Sequence, residues 1–182
     1  MRNISFKPFS HDDLPHLYKW MQEQHVSIWW GEGKSWSFKD VEEKYSTYAL
    51  GYKIDQGEKK RLSAFIIELE ERPVGYIQMY NAQDFTRDDF DPNELWTDQS
   101  SSIGAIDFYI GEPDCLGMGL GAEILQNFLF NHVFRFFNTC LVDPDKRNTI
   151  AIKAYAKAGF TTFKEMKNCI VMIEKKKTHL SA

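Results

Sequence analysis

The sequence predicts an α/β fold in which helices flank a mixed β-sheet. Segments with strand periodicity and segments with helix periodicity alternate along the 182 residues. A strand pattern at 102–110 leads towards three alternate glycines, Gly117, Gly119 and Gly121, and an amphipathic helix pattern follows at once. The chain contains no repeats or linkers, and its length predicts a single domain, 1–182, with an ample core.

The first half of the chain is predicted to start with a strand and two helices, followed by a hairpin. Ser10 and Ser37 suit the N-cap positions of the helices because their hydroxyls accept hydrogen bonds from first-turn amides. Gly51 suits the end of the second helix. The hairpin turn is expected at 70–73 from its residue types. The predicted elements are a strand at 4–8, helices at 10–24 and 37–50, and strands at 62–69 and 74–80.

The second half begins with a long acidic segment, 81–101, that shows no periodicity. Long loops inside compact domains are usually functional. The elements predicted after it are strands at 102–110, 139–142, 160–163 and 168–174, and helices at 119–131 and 148–157.

The composition of the chain limits the classes of partner that it can bind. The net charge of −4 argues against nucleic acid as the main partner. No apolar run approaches the roughly 20 residues that span a bilayer, and the first residues lack a signal-peptide pattern. We therefore expect a cytoplasmic protein with no membrane partner. Its three cysteines, Cys115, Cys140 and Cys169, lack metal-ligand spacing, so no metal is expected, and Cys115 is read as a packed thiol rather than a nucleophile.

The charge is unevenly distributed. Six acidic residues and one basic residue fall between Asp84 and Asp98. An acidic cleft would concentrate a polycationic substrate. The alternative interpretation is an ordinary solvated loop.

The glycine segment suits a phosphate or pyrophosphate. Glycines allow a tight turn with accessible amides, and the N-terminus of the following helix adds partial positive charge. The segment is not a Walker loop, since no Lys-Ser/Thr follows Gly121. It is not a dinucleotide fingerprint either, because its third glycine comes one residue early.

A second motif follows about thirty residues later. It consists of the segment 143–148, Asp-Pro-Asp-Lys-Arg-Asn, then Ala151, Tyr155 and the run 158–160, Ala-Gly-Phe. Together the two motifs resemble the acyl-CoA-binding half of the GNAT superfamily of N-acetyltransferases. Over 104–113 the chain most resembles the aminoglycoside 6'-N-acetyltransferases. The resemblance implies the GNAT fold, a mixed sheet flanked by about four helices, and acetyl-CoA as co-substrate.

The resemblance also implies where the cofactor binds. In that family the backbone amides of the glycine loop hold the pyrophosphate. This chain has Leu116 where the family has Arg or Gln, so one side-chain contact is lost. Asn148 and Tyr155 are seven residues apart and share one helix face. The implied cofactor-binding residues are Tyr109, Ile110, Leu116, Gly117, Met118, Gly119, Leu120, Gly121, Ala122, Asn148, Ala151 and Tyr155.

Two residues are implied to be catalytic. Tyr155 matches a tyrosine that protonates the departing thiolate. Asp107 matches an aspartate that meets the acceptor amine, where it orients an ammonium or accepts its proton; its charge also raises the amine's pKa and so makes deprotonation harder. A backbone N–H at about Tyr109 or Ile110 is expected to stabilise the oxyanion, freed by a bulge or splay beside the 139–142 strand.

The acceptor is expected to bind on aromatic and acidic side chains. Sugar rings and charged amines pack well on aromatic faces. Phe108 stands where the family has Gln, which removes one polar contact. The implied substrate-binding residues are Trp29, Trp30, Tyr45, Tyr80, Asp107, Asp143 and Asp145.

The sequence thus predicts an acetyltransferase that acts on a small cationic amine, the 6'-amine of aminoglycoside antibiotics, through a ternary complex. One alternative is an N-acyltransferase of a hydroxylysine-type siderophore precursor, which shares the Trp-Trp-Gly region. Another is a non-catalytic CoA-binding module, which would not need both Asp107 and Tyr155. A monomer and a homodimer both remain open.

Overall fold

A computed structural model describes residues 2–31, 33–85, 90–95 and 102–177. Within these ranges, eight strands and five α-helices form the predicted α/β architecture. The strands are β1 (Ile4–Pro8), β2 (Tyr52–Asp55), β3 (Glu58–Leu69), β4 (Arg72–Asn81), β5 (Ile103–Ile110), β6 (Thr139–Val142), β7 (Thr161–Glu165) and β8 (Ile170–Lys175). The helices are α1 (Leu14–Met21), α2 (Gln24–Ser27), α3 (Phe38–Ala49), α4 (Leu120–Asn131) and α5 (Thr149–Ala158).

The sheet is mixed, as predicted. Its strand order is β1-β3-β4-β5-β6-β8-β7, and β2 pairs with β3 beside this path. Only the β5–β6 neighbours in this order run parallel. Two tight hairpins organise the first half. The turn between β3 and β4 places Glu70 and Glu71 at φ 50° and 65°, values that match the twist of a two-residue hairpin.

The hairpin between β2 and β3 was not predicted. Gln56 and Gly57 form its turn, at φ 48° and 81°. The strand that leaves this turn starts with the charged run 58–61, Glu-Lys-Lys-Arg, which has no apolar alternation. Without that alternation the 58–61 run gives no strand signal of its own. It forms a strand because it pairs with β2.

The first helix differs from the single helix predicted over 10–24. A 3-10 turn, His11–Asp13, comes first, because the Asp13 carboxylate accepts hydrogen bonds from the backbone N–H and the hydroxyl of Ser10, both at 2.9 Å. Helix α1 then ends at Met21, and the extended backbone of Glu23 separates it from α2. The second predicted helix is confirmed as α3, with Ser37 and Asp40 in a reciprocal capping box.

Three apolar clusters of described residues pack against the sheet, and helices cover two of them. On one face, α4 and α5 cover residues such as Ile77 and Ile106. On the other, α1 and α3 cover an aromatic cluster that includes Trp20, Tyr45 and Tyr76. In the described parts of the chain, no helix has the length and apolarity that a membrane crossing requires.

The end of β5 is fixed to α1 by Glu112. Its carboxylate accepts hydrogen bonds from Trp20 Nε1 at 2.8 Å, Lys19 Nζ at 2.7 Å and an Arg72 nitrogen at 3.2 Å. Burial by itself raises the pKa of Glu112, but the hydrogen bonds from Lys19 and Trp20 outweigh it and lower the pKa overall. Gly111 packs directly against the Trp20 indole, since a Cβ there would lie 2.1 Å from its Cγ. The carboxylate and the glycine together set the distance between α1 and β5.

We expect Gly111→Ala to destabilise the protein, because the added methyl group overlaps the buried Trp20 ring. The free energy of unfolding should fall by about 1–3 kcal/mol, the usual cost of overpacking. Denaturant unfolding of the ligand-free protein measures this change in the free energy of unfolding. Gly121→Ala is the matched control. Gly121 lies in α4, and a Cβ there would meet Ala154 Cβ on α5 at an ordinary contact distance of 3.5 Å. No loss of stability is therefore expected. Equal stability of the two variants would contradict the role given to Gly111.

Candidate active site

The site forms where β5 and β6 part. The two strands pair over three residues only, Ile103 with Thr139 through Ala105 with Leu141. On its other side β5 stays paired with β4 as far as Ile110. From Ile106 onward, β5 is therefore paired on one edge only. This is the splay that the sequence analysis predicted beside the 139–142 strand.

The direction of the backbone groups along this edge follows from the β4 pairing. Gly111 N donates to Val74 O on β4 at 2.8 Å. Antiparallel pairing alternates, so the N–H of Tyr109 also points to β4 while that of Ile110 points to the parted side. His25 agrees with this assignment: its Nε2 lies 3.0 Å from Ile110 O and must donate, because a carbonyl only accepts. Of the two residues predicted to supply an oxyanion donor, the geometry favours Ile110.

A cavity of about 1260 Å³ opens beside the stretch of β5, 106–108, that follows the last residue paired with β6. Its walls come from the segment after α2, the middle of β5, the segment that follows β6, two residues of α5, and residues 167–168 between β7 and β8. The residues named by the sequence analysis that line it are Trp29, Trp30, Asp107, Asp143, Asp145, Asn148, Ala151 and Tyr155. The fold thus brings together residues that are up to 126 positions apart in the chain, Trp29 to Tyr155.

Asp107 is held by a buried polar chain. Its Oδ2 accepts a hydrogen bond from Gln78 Nε2 at 2.7 Å, and Gln78 Oε1 accepts one from the Tyr76 hydroxyl at 2.8 Å. Gln78 is its cross-strand partner on β4. Burial raises the pKa of Tyr76 well above its ordinary value, so this phenol remains a donor. The sequence analysis missed Gln78, although a single amide among the apolar residues of its strand was a usable signal.

Tyr155 is buried at the cavity wall, with 7% of its surface exposed. Burial raises its pKa well above the ordinary 10.0, and the negative charges of Asp107 and Asp143 add to that shift. The hydroxyl therefore keeps its proton at neutral pH. Edge-on contacts with Phe108 and Phe160, at ring distances of 5.8 and 5.4 Å, fix the orientation of the ring.

Two of the four aromatic residues expected in the acceptor site do not line the cavity. Tyr45 is buried, and its Oη accepts a hydrogen bond from Trp30 Nε1 at 2.6 Å, so it supports Trp30 from behind. Tyr80 is half-buried and packs edge-on against Phe85. Trp29 and Trp30 do line the cavity. Aromatic residues of core and site look alike in sequence, and only the packing separates them.

The cavity carries mixed charge rather than the acidic lining expected. Three cations, Lys146, Arg147 and Lys167, line it together with Asp107, Asp143 and Asp145. None of the described acids of the 84–98 segment lines it; Glu94 instead pairs with Lys164 at 2.6 Å. The remaining acids expected there, Asp88, Asp89 and Asp98, lie outside the described residues.

The glycine loop leads into α4, and a Cβ at Gly121 would lie 3.8 Å from Phe108 Cζ on β5. Gly117 and Gly119 both have φ 73°, in the left-handed region that glycine adopts without strain. A Cβ at Gly117 would meet nothing within 4 Å, so the backbone there is open to a ligand. The side chains of Leu116 and Met118 are exposed, and Met118 O accepts hydrogen bonds from both terminal nitrogens of Arg2 at 3.2 Å, which fixes the loop.

Lys157 is a residue of this loop site that the sequence analysis missed. It is exposed in the last turn of α5, and its Nζ lies 3.6 Å from where a Cβ of Gly119 would be. It brings a positive charge to a loop that has Leu116 in place of Arg or Gln. No spacing rule linked it to the loop, because helix packing alone makes them neighbours.

These features fit an elongated, phosphate-bearing thioester. The open glycine backbone, the N-terminus of the twelve-residue α4 and the Lys157 ammonium suit phosphates. The parted edge of β5 offers backbone groups to an amide-containing arm. Asn148 caps α5, its side chain accepting from Ala151 N at 3.1 Å. Cys115 is buried, and burial raises the pKa of its thiol, which does not suit a nucleophile.

Comparison with known proteins agrees with this geometry. The family described as "Acetyltransferase (GNAT) domain" matches residues 10–168. Aminoglycoside N(6')-acetyltransferase type 1 from Klebsiella pneumoniae is 27% identical over 164 residues, which cover 87% of this chain and 74% of the relative. The same enzyme type from Serratia marcescens gives the same figures.

Solved structures give a similar result. The aminoglycoside acetyltransferase AAC(6')-Ib in complex with paromomycin and acetyl-CoA has a TM-score of 0.76 and 26% identity, covering 96% of this chain and 94% of that one. The same protein in complex with coenzyme A and kanamycin has a TM-score of 0.75 and 25% identity, covering 96% and 95%. An uncharacterized protein from Bacillus halodurans, at 23% identity and a TM-score of 0.76, shares the fold.

We expect Tyr155 to remain protonated at pH 10, the ordinary pKa of a tyrosine, because burial and the nearby carboxylates disfavour its phenolate. In an alkaline absorbance titration, the wild type and Tyr155→Phe should therefore develop the same phenolate signal at pH 10. Circular dichroism at each pH verifies that both stay folded. A smaller signal in the variant would show that Tyr155 ionises normally.

Proposed function

This chain belongs to the GNAT family of acetyltransferases, and from that premise we propose that it transfers the acetyl group of acetyl-CoA to the 6'-amine of an aminoglycoside. The observation that carries the proposal is the meeting of Asp107 and Tyr155 at one cavity, where β5 and β6 part. A module that only bound CoA would need neither a carboxylate held by Gln78 nor a buried phenol that keeps its proton.

The two faces of β5 are assigned to different substrates. Successive side chains on a strand point to opposite faces, so Asp107 shares a face with Tyr109 and the α1–α3 aromatic cluster, whereas Phe108 packs towards α4 and α5. We assign the first face to the acceptor amine and the second to the co-substrate. The backbone of Ile110 lies at the edge between them.

The residues then act as follows. Acetyl-CoA supplies a thioester whose acetyl carbon is open to attack by an amine. Asp107 orients the acceptor's ammonium and takes its proton, directly or through water, so that a free amine can attack. The Ile110 N–H, which points to the parted side, donates to the oxygen that becomes negative. Tyr155 gives its proton to the departing sulfur. Holding the amine and the thioester in line with each other supplies much of the rate.

The relatives support the acceptor class. Those named above are aminoglycoside N(6')-acetyltransferases, and the structures include complexes with paromomycin and kanamycin. In this chain Trp29 and Trp30 present rings to the cavity, and Asp107 and Asp143 present carboxylates. Rings suit sugars and carboxylates suit ammonium groups.

One observation favours the second candidate function, N-acylation of a hydroxylysine-type amine. The cavity contains Lys146, Arg147 and Lys167. An amino-acid acceptor carries a carboxylate that such cations would bind, whereas an aminoglycoside does not. The two acceptor classes are therefore tested side by side.

Lys157→Ala should weaken binding of CoA about 3- to 10-fold, since an exposed ammonium–phosphate contact is partly screened. Isothermal titration calorimetry measures the Kd. Lys153→Ala is the matched control, an exposed lysine one turn earlier on α5. Pantetheine, which has no phosphate, should bind both variants equally. Loss of affinity for pantetheine in the Lys157 variant would contradict a phosphate contact.

Tyr155→Phe should lower kcat by roughly 10²-fold or more if general acid catalysis is fully used, with CoA affinity nearly intact because only the proton donor is lost. Steady-state thiol release, together with a pre-steady-state check that chemistry limits the rate, measures kcat. An unchanged kcat under those conditions would remove Tyr155 from the mechanism.

The acceptor class is tested by thiol release from acetyl-CoA with kanamycin, a polyamine and hydroxylysine. We expect kanamycin to be acetylated at its 6'-amine and an analogue with a hydroxyl there to be inert. Asp107→Asn should abolish most of this activity, whereas Asp84→Asn, outside the cavity, should not. Thiol release with hydroxylysine but with no aminoglycoside would replace this function with the second candidate.

A further inference from the structure

Arg147 occupies a position in the cavity that a cationic acceptor would be expected to use. Its Nε donates to Asp145 Oδ1 at 2.9 Å, and a terminal nitrogen donates to Asp145 Oδ2 at 2.7 Å. The guanidinium carbon lies 5.9 Å from the centre of the Trp29 ring. All three side chains line the cavity. One cation of the chain therefore covers both a carboxylate and an aromatic face.

Those two groups are ones that an aminoglycoside would need. An ammonium binds to a carboxylate, and a sugar ring or an amine packs on an indole. We propose that Arg147 is a specificity-determining residue of the acceptor cleft, whose guanidinium competes with the acceptor's ammonium groups for Asp145 and Trp29. This inference rests on the proposed function. An acceptor with several ammonium groups displaces Arg147 and takes its place, whereas an acceptor with one reacting amine leaves the pair intact.

The contacts of Arg147 with Asp145 and Trp29 are weak enough for an acceptor to break them. The Arg147 side chain is 81% exposed, so it can turn out into solvent. Exposed ion pairs and exposed cation–π contacts each contribute little. The expected penalty on acceptor affinity is therefore about two- to tenfold. That is enough to rank acceptors by their charge without excluding polycations.

Arg147 is distant from the loop assigned to the phosphates of the co-substrate. It precedes the first turn of α5, whereas Lys157, beside Gly119, is in the last turn. A helix of ten residues is roughly 15 Å long. The competition is therefore assigned to the acceptor end of the cavity.

The test is the affinity for kanamycin, measured by calorimetry at low ionic strength, with thiol release recorded in parallel. Arg147→Ala should lower the Kd for kanamycin about two- to tenfold and leave the Kd for CoA unchanged. Asp145→Asn alone should change the Kd for kanamycin little, because it removes both the carboxylate that the acceptor would gain and the ion pair that the acceptor must break. In the double variant, Asp145→Asn with Arg147→Ala, the gain relative to Asp145→Asn should shrink, because only the Trp29 ring is then released.

Lys167→Ala is the control for charge alone, since Lys167 is another exposed cation that lines the cavity. An equal gain in that variant, or an undiminished gain in the double variant, would overturn the competition with Asp145 in favour of general repulsion. An unchanged or higher Kd in Arg147→Ala would overturn it as well, and so would a weaker Kd for CoA.

The readouts separate this inference from the proposed function. Wild-type protein that binds kanamycin but releases no thiol would defeat the proposed function, while the change in Kd would still decide the role of Arg147. Wild-type protein that does not bind kanamycin would overturn both.

Discussion

The parting of β5 from β6 after three paired residues is the constraint on which the site depends. A fully paired β5 would use the backbone groups of Ile110 within the sheet and would close the cavity. Because β4 holds the other edge of β5 as far as Ile110, the strand stays part of the sheet while its second edge is open. Glu112 and Gly111 then fix its end against α1, so the opening has a defined width.

Buried residues that do not line the cavity hold its reactive and aromatic side chains in position. The Tyr76–Gln78–Asp107 chain holds the carboxylate, and Tyr45 holds Trp30. These supports belong to the buried cluster between the sheet and α1–α3. On the opposite face of the sheet, burial raises the pKa of Tyr155 by disfavouring its phenolate, so packing there keeps that hydroxyl protonated. The core and the site are one network of contacts.

Helix α5 connects the two halves of the proposed reaction. Arg147 and the capping Asn148 precede its first turn, Tyr155 faces the cavity, and Lys157 meets the glycine loop in its last turn. A shift of this helix would therefore alter acceptor selection, proton donation and phosphate binding together. Its small face, which includes Ala154 against Gly121, allows the close packing on α4 that holds it in place.

Elements whose signals are local could be predicted from the sequence. Glycine spacing, the Ser37 cap and period-two apolar strands are set by neighbouring residues, and they predicted α3, α4, α5 and most of the sheet correctly. The two motifs and the 104–113 segment also predicted the family, and Asp107 and Tyr155 line one cavity. Tertiary structure decided the rest. Tyr45 is support rather than cavity wall, Gln78 and Lys157 are neighbours of the site, and Glu94 is paired with Lys164. The physical reason is that burial and charge pairing depend on residues distant in the chain, so an aromatic or a charged side chain acquires its role only when the fold chooses its neighbours.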